Sequence, residues 1–222
     1  MDHTLSEKES FDLIHQMIST AKNNLQKGMG KIFLLWGYLV AGISLGTFIL
    51  LVLLPPDIKY HAFDLWCLMA LGYPIHYFMI RKSEHNRLVT TYVDQLMRWV
   101  WIAFGLSIVL VVLGFFLSTF AFIPGHTDAT GSEELQRWMP WLFLPPTMLC
   151  LYGFALFVSG KAYGFKPLWV GGIICWLGAL FLLITVHHAY AQEIQQLVLC
   201  IGAISGYIIP GHLLNKKETA HV

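Results

Sequence analysis

Apolar residues are gathered into six long stretches that contain no Asp, Glu, Lys or Arg near their centres. An apolar run of about 18 residues or more is typical of a transmembrane helix, because a helix of roughly 20 residues crosses the hydrocarbon core of a bilayer. The stretches cover residues 32–54, 62–80, 99–122, 138–159, 168–186 and 194–213. The pattern therefore predicts an all-α, polytopic membrane protein with six transmembrane helices arranged as three hairpins.

The segment that precedes the first apolar stretch has the pattern of an amphipathic helix. Apolar side chains recur on one helical face, at Phe11, Ile14, Ile18, Ala21 and Leu25. We expect residues 1–30 to form a helix on the cytoplasmic membrane surface, where it either rests on anionic headgroups or docks a partner protein. Residues 31–214 are expected to form the transmembrane bundle, and residues 215–222 a cytoplasmic tail.

Basic residues are distributed unevenly between the two ends of the predicted helices. Sorting the connecting segments by side places all 14 Lys and Arg residues together, except Lys59 and Arg137. Basic residues near span ends are retained in the cytoplasm. The sequence therefore predicts an integral protein of the plasma (inner) membrane whose N- and C-termini are both cytoplasmic.

Composition supports a lipid environment and argues against one class of partner. The chain is 56% hydrophobic and 12% charged, whereas about 25% of the residues in a typical soluble domain are charged. The formal net charge is +1, so we expect no basic surface of the kind that binds nucleic acid. The lipid bilayer is the one partner that composition itself indicates.

Prolines divide the six stretches into two sets. The second, fourth and sixth stretches contain proline, and the first, third and fifth contain none. Proline removes a backbone donor and kinks a helix, which a bundle tolerates where neighbouring groups bond to the freed carbonyls. We therefore expect each hairpin to have a straight first arm and a second arm that is interrupted, at Pro74, at Pro145 and Pro146, or at Pro210.

Two of these second arms share a local pattern at their cytoplasmic ends. Both carry Gly-Tyr, then Pro-x-His, then two basic residues, at Gly72, Tyr73, Pro74 and His76 in the second stretch and at Gly206, Tyr207, Pro210 and His212 in the sixth. The correspondence suggests an internal duplication in which both copies have the same orientation.

Small residues in the stretches predict where helices approach one another closely. They are spaced four residues apart in Gly42 and Gly46 of the first stretch and in Gly202 and Gly206 of the sixth, and Gly171 lies in the fifth. Such pairs hold a monomer together more often than they specify a dimer, so the oligomeric state stays open.

Histidines are the side chains with the clearest potential for chemistry. His76 and His212 lie at similar depth, and two facing imidazoles can ligate haem iron or another metal. The alternative is that each is a hydrogen-bonded packing residue or a headgroup contact, and this interpretation is preferred. No cofactor is therefore predicted.

A second group of histidines lies in the predicted outer loops. His126, His187 and His188 accompany Asp128 and Glu193, and histidine with carboxylate can bind zinc. The spacing matches no defined zinc site. A solvated rim is the preferred interpretation, and these residues remain weak candidates for metal ligands.

The centres of the six stretches contain no Asp, Glu, Lys, Arg or His, which argues against an ion-coupled carrier. No known catalytic arrangement can be assembled from the residues of the chain. Our first hypothesis is a non-catalytic accessory or regulatory membrane subunit that binds a cytoplasmic partner through its cytoplasmic face. The alternative is a small permease or lipid-handling transporter that moves on the proline-bearing second, fourth and sixth helices. A b-type haem protein is a more remote hypothesis.

Overall fold

A computed structural model of the chain describes residues 11, 29–84, 92–120 and 139–219. Most of this part of the chain is helical, and it contains no β-strand. The predicted interfacial helix over residues 1–30 lies outside the described residues, apart from Phe11 and the first two residues of the first transmembrane helix. His126 and Arg137 also lie outside them.

The described helices follow one another with short connections. In chain order they are α1 (Met29–Leu53), a 3₁₀ helix (Lys59–Leu68) that leads into α2 (Met69–Glu84), α3 (Tyr92–Phe120), a 3₁₀ turn (Met139–Phe143) that leads into α4 (Leu144–Ala162), α5 (Lys166–Ile184), and α6 (Ala191–Ala203), which continues through a π-helical turn (Ile204–Ile208) into α7 (Ile209–Thr219).

Six segments of the described chain are long and apolar enough to cross a membrane. They are Met29–Leu53, Lys59–Arg81, Gln95–Phe120, Pro140–Ala162, Lys166–Ile184 and Ala191–Lys216. We refer to these as the first to sixth spans. The prediction of six spans is confirmed, and the ends differ from those predicted by only a few residues. The last helix continues to Thr219, beyond the bundle end expected at residue 214.

The six spans contribute unequally to the packed interior. Half of the residues in the most apolar part of the fourth and sixth spans are buried, whereas none is buried in the corresponding part of the third span and very few in that of the second. The sixth span contacts the first, fourth and fifth spans, and the fourth and fifth pack closely on each other. The second span packs mainly on the first, and the third mainly on the fourth. Each of the three predicted hairpins has its two arms in contact.

Glycine sets the closest approach between the fifth and sixth spans. A Cβ atom on Gly171 would lie 2.7 Å from the Cα of Gly206, which is closer than a side chain permits. The sequence prediction for these two glycines is confirmed. The prediction for Gly42 is wrong: it is exposed, and a Cβ atom there would meet nothing within 4 Å.

The prolines act differently in the three spans that contain them. Pro74 lies inside α2. Pro210 is the second residue after the π-helical turn, which is a recognised way for a helix to accommodate a missing backbone bond. Pro145 and Pro146 instead lie in the first turn of α4, where the absent N–H groups have no intrahelical partner to lose. The expectation that they interrupt the fourth helix is therefore wrong, because they mark where its α-helical part begins.

The glycine contact gives a direct test of the packing. We expect Gly171→Ala to destabilise the protein by about 1–3 kcal/mol, because the new methyl group overlaps the backbone of the sixth span. The measurement is the apparent melting temperature in detergent. Gly42→Ala is the matched control and should leave it unchanged or slightly higher; equal effects of the two variants would contradict the assigned contact.

Candidate functional site

The Pro-x-His segment of the second span packs against the first span. The Trp36 indole donates a 3.1 Å hydrogen bond from Nε1 to Nδ1 of His76, and the Tyr73 ring lies 5.4 Å from the Trp36 ring, nearly perpendicular to it. A Cβ atom on Gly72 would meet Leu39 at 2.8 Å and Trp36 at 2.9 Å. Glycine, tyrosine and histidine of the predicted pattern therefore all contact one short stretch of the first span.

The corresponding segment of the sixth span contacts the first span in a similar way. The Tyr207 ring lies 5.7 Å from the Phe33 ring, and the Tyr38 hydroxyl forms a 2.7 Å hydrogen bond with Nε2 of His212. In both segments the tyrosine touches an aromatic ring of the first span, and the histidine bonds to an aromatic side chain there. The local likeness noted in the sequence is thus accompanied by a likeness of contacts.

The two histidines lie on different sides of the first span. Their partners Trp36 and Tyr38 are two residues apart, which corresponds to about 200° around an α-helix. His76 and His212 are therefore held apart by the helix between them, and each ring is already hydrogen-bonded. This geometry does not favour the pair as axial ligands of one haem or one metal, and they are better described as residues that dock helices.

The bond to Trp36 also fixes the protonation of His76. An indole N–H can only donate, so Nδ1 of His76 must accept and the ring proton must lie on Nε2 if the ring is neutral. A protonated imidazole has no acceptor to offer Trp36. The contact between the first and second spans therefore requires neutral His76.

Five aromatic rings form a closed cycle of contacts in the bundle. Neighbouring centroids are 5.3 to 5.8 Å apart, in the order Phe33, Trp101, Phe104, Tyr152 and Tyr207. We call this set the aromatic ring cluster. It attaches the otherwise peripheral third span to the first, fourth and sixth. The sequence offers one signal for it, the spacing of Trp101 and Phe104 on one helical face.

At the end of the bundle where the sixth span begins, polar side chains of that span bond to residues of other spans. The Lys59 ammonium forms an ion pair with the Glu193 carboxylate, whose side chain is only 11% exposed. The amide of Gln195 donates a 2.8 Å bond to the backbone carbonyl of Leu142. Glu193 and Gln195 thus connect the start of the sixth span to the second and fourth.

A further polar set lies fully inside the protein. Ser44 Oγ, Thr47 Oγ1 and Gln196 Oε1 are buried and accept or donate no hydrogen bond within the described protein. We call these three side chains the buried oxygen cluster. Ser44 and Thr47 are recognisable in the sequence as polar residues of a span centre, but Gln196 lies only two residues inside the predicted sixth stretch, and the sequence does not indicate that it is buried.

The candidate metal ligands are not brought together in the part of the chain that is described. His187 and His188 are exposed, and Nδ1 of His188 accepts a 3.2 Å bond from the Tyr190 backbone N–H. Among the described residues, no three His, Cys, Asp or Glu side chains form a group that can hold a metal ion.

Comparison with known proteins adds no relative: no family model matches the chain, and neither the curated proteins nor the solved structures give a match. The functional argument therefore depends on the geometry of this chain alone.

The hydrogen bond between the first and second spans is testable by substitution. We expect Trp36→Phe to lower the free energy of unfolding by about 1 kcal/mol, because a partly buried hydrogen bond is lost. The effect should be smaller in a His76→Phe background, since the partner is then absent. Tyr38→Phe, which removes the more exposed bond to His212, is the control and should cost less. If Trp36→Phe has the same effect with and without His76, the hydrogen bond between the two side chains does not contribute to stability.

The ion pair of Lys59 and Glu193 predicts that its loss destabilises the protein more than the loss of an exposed pair. Lys59→Met leaves the largely buried Glu193 carboxylate without its cation, and we expect a loss of about 1.5–3 kcal/mol. Asp64→Asn disrupts the exposed pair of His61 and Asp64 and should change stability by no more than about 0.5 kcal/mol. Both are measured by equilibrium unfolding in mixed micelles. A neutral Lys59→Met variant would contradict the structural importance of the pair.

Proposed function

We propose that this protein is a non-catalytic accessory or regulatory membrane subunit. It binds a partner protein through its cytoplasmic face and the adjoining surface of the second span. Both termini are assigned to the cytoplasm on the basis of the basic residues. The observation that carries the proposal is the second span itself, which has the lowest mean hydropathy of the six and is hardly buried within its own chain.

The outward surface of the second span carries groups that are poorly suited to lipid alone. Tyr73, Tyr77 and Arg81 are spaced four residues apart, so they follow one face of the helix, and all three are exposed. The Arg81 guanidinium lies 5.4 Å from the centre of the Tyr77 ring. Tyrosine and arginine are common in protein interfaces, where a hydroxyl or guanidinium finds a partner while the rest of the side chain packs.

The distribution of basic residues also favours the cytoplasmic end of the bundle as the partner-binding surface. Lys31, Arg81, Lys161 and Lys166 lie at the end where the first and fifth spans begin and the second and fourth end. This end is cytoplasmic by the positive-inside rule. It presents positive charge beside the tyrosine-bearing face, which suits a membrane-bound partner with acidic residues near its own cytoplasmic boundary.

Site-specific photocrosslinking in native membranes tests this proposal. A photoreactive amino acid at Tyr77 should yield one adduct of discrete mass, because a bound partner lies against that face. The same amino acid at Leu180, which is exposed on the fifth span, is the control and should yield no discrete adduct. Deleting residues 1–28 should abolish the adduct at position 77 if the amphipathic segment contributes to binding, while the bundle stays folded.

Two outcomes would count against the accessory role. One is the absence of any protein adduct at position 77 in membranes from the native host. The other is the same adducts at positions 77 and 180, because this pattern indicates random collision in the bilayer.

A permease or lipid-handling transporter is the second candidate, and the π-helical turn before Pro210 favours it. Single π-helical turns inside α-helices are frequent at functional sites, and this turn contains the buried Gly206 and Tyr207. Flux assays in proteoliposomes test this candidate, with Pro210→Ala expected to slow flux. No flux for a panel of solutes and lipids would retire it.

A further inference from the structure

The buried oxygen cluster is unusual because its hydroxyl groups do not follow the common helical pattern. A serine or threonine inside a helix can donate to the carbonyl four residues earlier. Four hydroxyls of other spans do so at 2.7 to 2.9 Å, at Ser107, Thr119, Thr147 and Thr185. Ser44 and Thr47 do not make this bond, although both have 0% exposed surface.

The register of the first and sixth spans brings the three cluster members to a similar level of the bundle. Val40 and Ala41 of the first span pack with Ala203 of the sixth. The spans run in opposite directions, since a Cβ atom on Gly37 would lie 3.1 Å from the backbone nitrogen of Ile208, farther along the sixth span. Thr47 lies about two helical turns beyond Val40, and Gln196 about two turns before Ala203. This register sets Thr47 opposite Gln196, with Ser44 one turn away.

Leaving these oxygens without partners would be costly. A hydroxyl or amide that loses its water and gains no hydrogen bond costs about 1–3 kcal/mol in proteins. The cost applies to each oxygen, and no bulk water reaches the interior of a bundle in lipid. An interface with three such oxygens, none bonded to protein, is therefore better explained by a small bound molecule.

The chemistry of the cluster restricts what that molecule can be. The Gln196 oxygen only accepts, and the two hydroxyls both donate and accept, so the molecule must donate at least one hydrogen bond. Glu193, about one turn from Gln196, is already paired with Lys59, so no net charge is left nearby to hold an ion. The cluster is thus suited to a neutral molecule.

We propose that Ser44, Thr47 and Gln196 form a binding site for a small neutral hydrogen-bond donor, water or a short polyol, between the first and sixth spans. The site does not depend on the accessory role proposed above. The bound molecule bridges the two spans, so the stability of their interface depends on it.

Replacing Thr47 with a residue of the same shape tests whether the site is occupied, because the melting temperature should fall if it is and rise or stay constant if it is not. If the site is occupied, Thr47→Val loses a hydrogen bond, and the apparent melting temperature should fall by roughly 2–4 °C. If the site is empty, the same change removes an unsatisfied hydroxyl, and the melting temperature should rise or stay constant. Thr147→Val is the control of the same chemistry, because the Thr147 hydroxyl donates to the Phe143 carbonyl of its own span and needs no bound molecule; it should show a smaller fall.

A double variant tests whether one bound molecule serves both helices. Thr47→Val and Gln196→Met should be non-additive in combination, because either one already disrupts the bridge. Strict additivity, or a rise in melting temperature for Thr47→Val, would overturn the proposal.

Water-edited solid-state NMR of the wild-type protein in lipid bilayers gives a test that no folding defect can obscure. Magnetisation from water should reach the side-chain amide of Gln196 rapidly, and more slowly in Thr47→Val. Added glycerol distinguishes the two sources: a polyol site is shown if glycerol raises the melting temperature of the wild type more than that of Thr47→Val, and a water site if both rise equally while the water transfer persists. Absence of both signals would overturn the proposal.

Discussion

The contact between the first and sixth spans is the constraint on which the rest of the structure depends. Gly30 and Gly37 of the first span lie against the backbone of the sixth at Gly211 and Ile208. Glycine at these points lets the two helix axes approach closely, which in a membrane replaces the hydrophobic driving force that water supplies to soluble proteins. The second span then docks on the outer side of the first, and the fourth and fifth pack on the sixth.

The number and order of spans could be predicted from the sequence, because a charge-free apolar run of bilayer length has few alternative structures. The sequence did not indicate which of the spans form the core. The third span is the most apolar of the six and yet contributes no buried residue from its most apolar part. Lipid and protein interior are both apolar environments, so hydropathy alone cannot tell a central helix from a peripheral one.

The role of a single side chain is likewise hard to predict from the sequence, because it depends on residues of other spans. The shared Pro-x-His pattern could be recognised in the sequence, but its meaning depended on what lies beside it. Trp36 and Tyr38 separate the two histidines by their position around one helix, and no spacing within the second or sixth span contains that information. Gln196 is a similar case, since a glutamine near a span end is as consistent with the membrane surface as with a buried interface.

The position of the sixth span at the centre has a consequence for biosynthesis. A chain is made from its N-terminus, so the first span enters the membrane long before its main neighbour exists. Until the sixth span is inserted, the glycine surface of the first span faces lipid or the translocation machinery. The packed core of this protein therefore closes only after the sixth span is inserted, and a chain truncated before residue 191 would retain hairpins without their common centre.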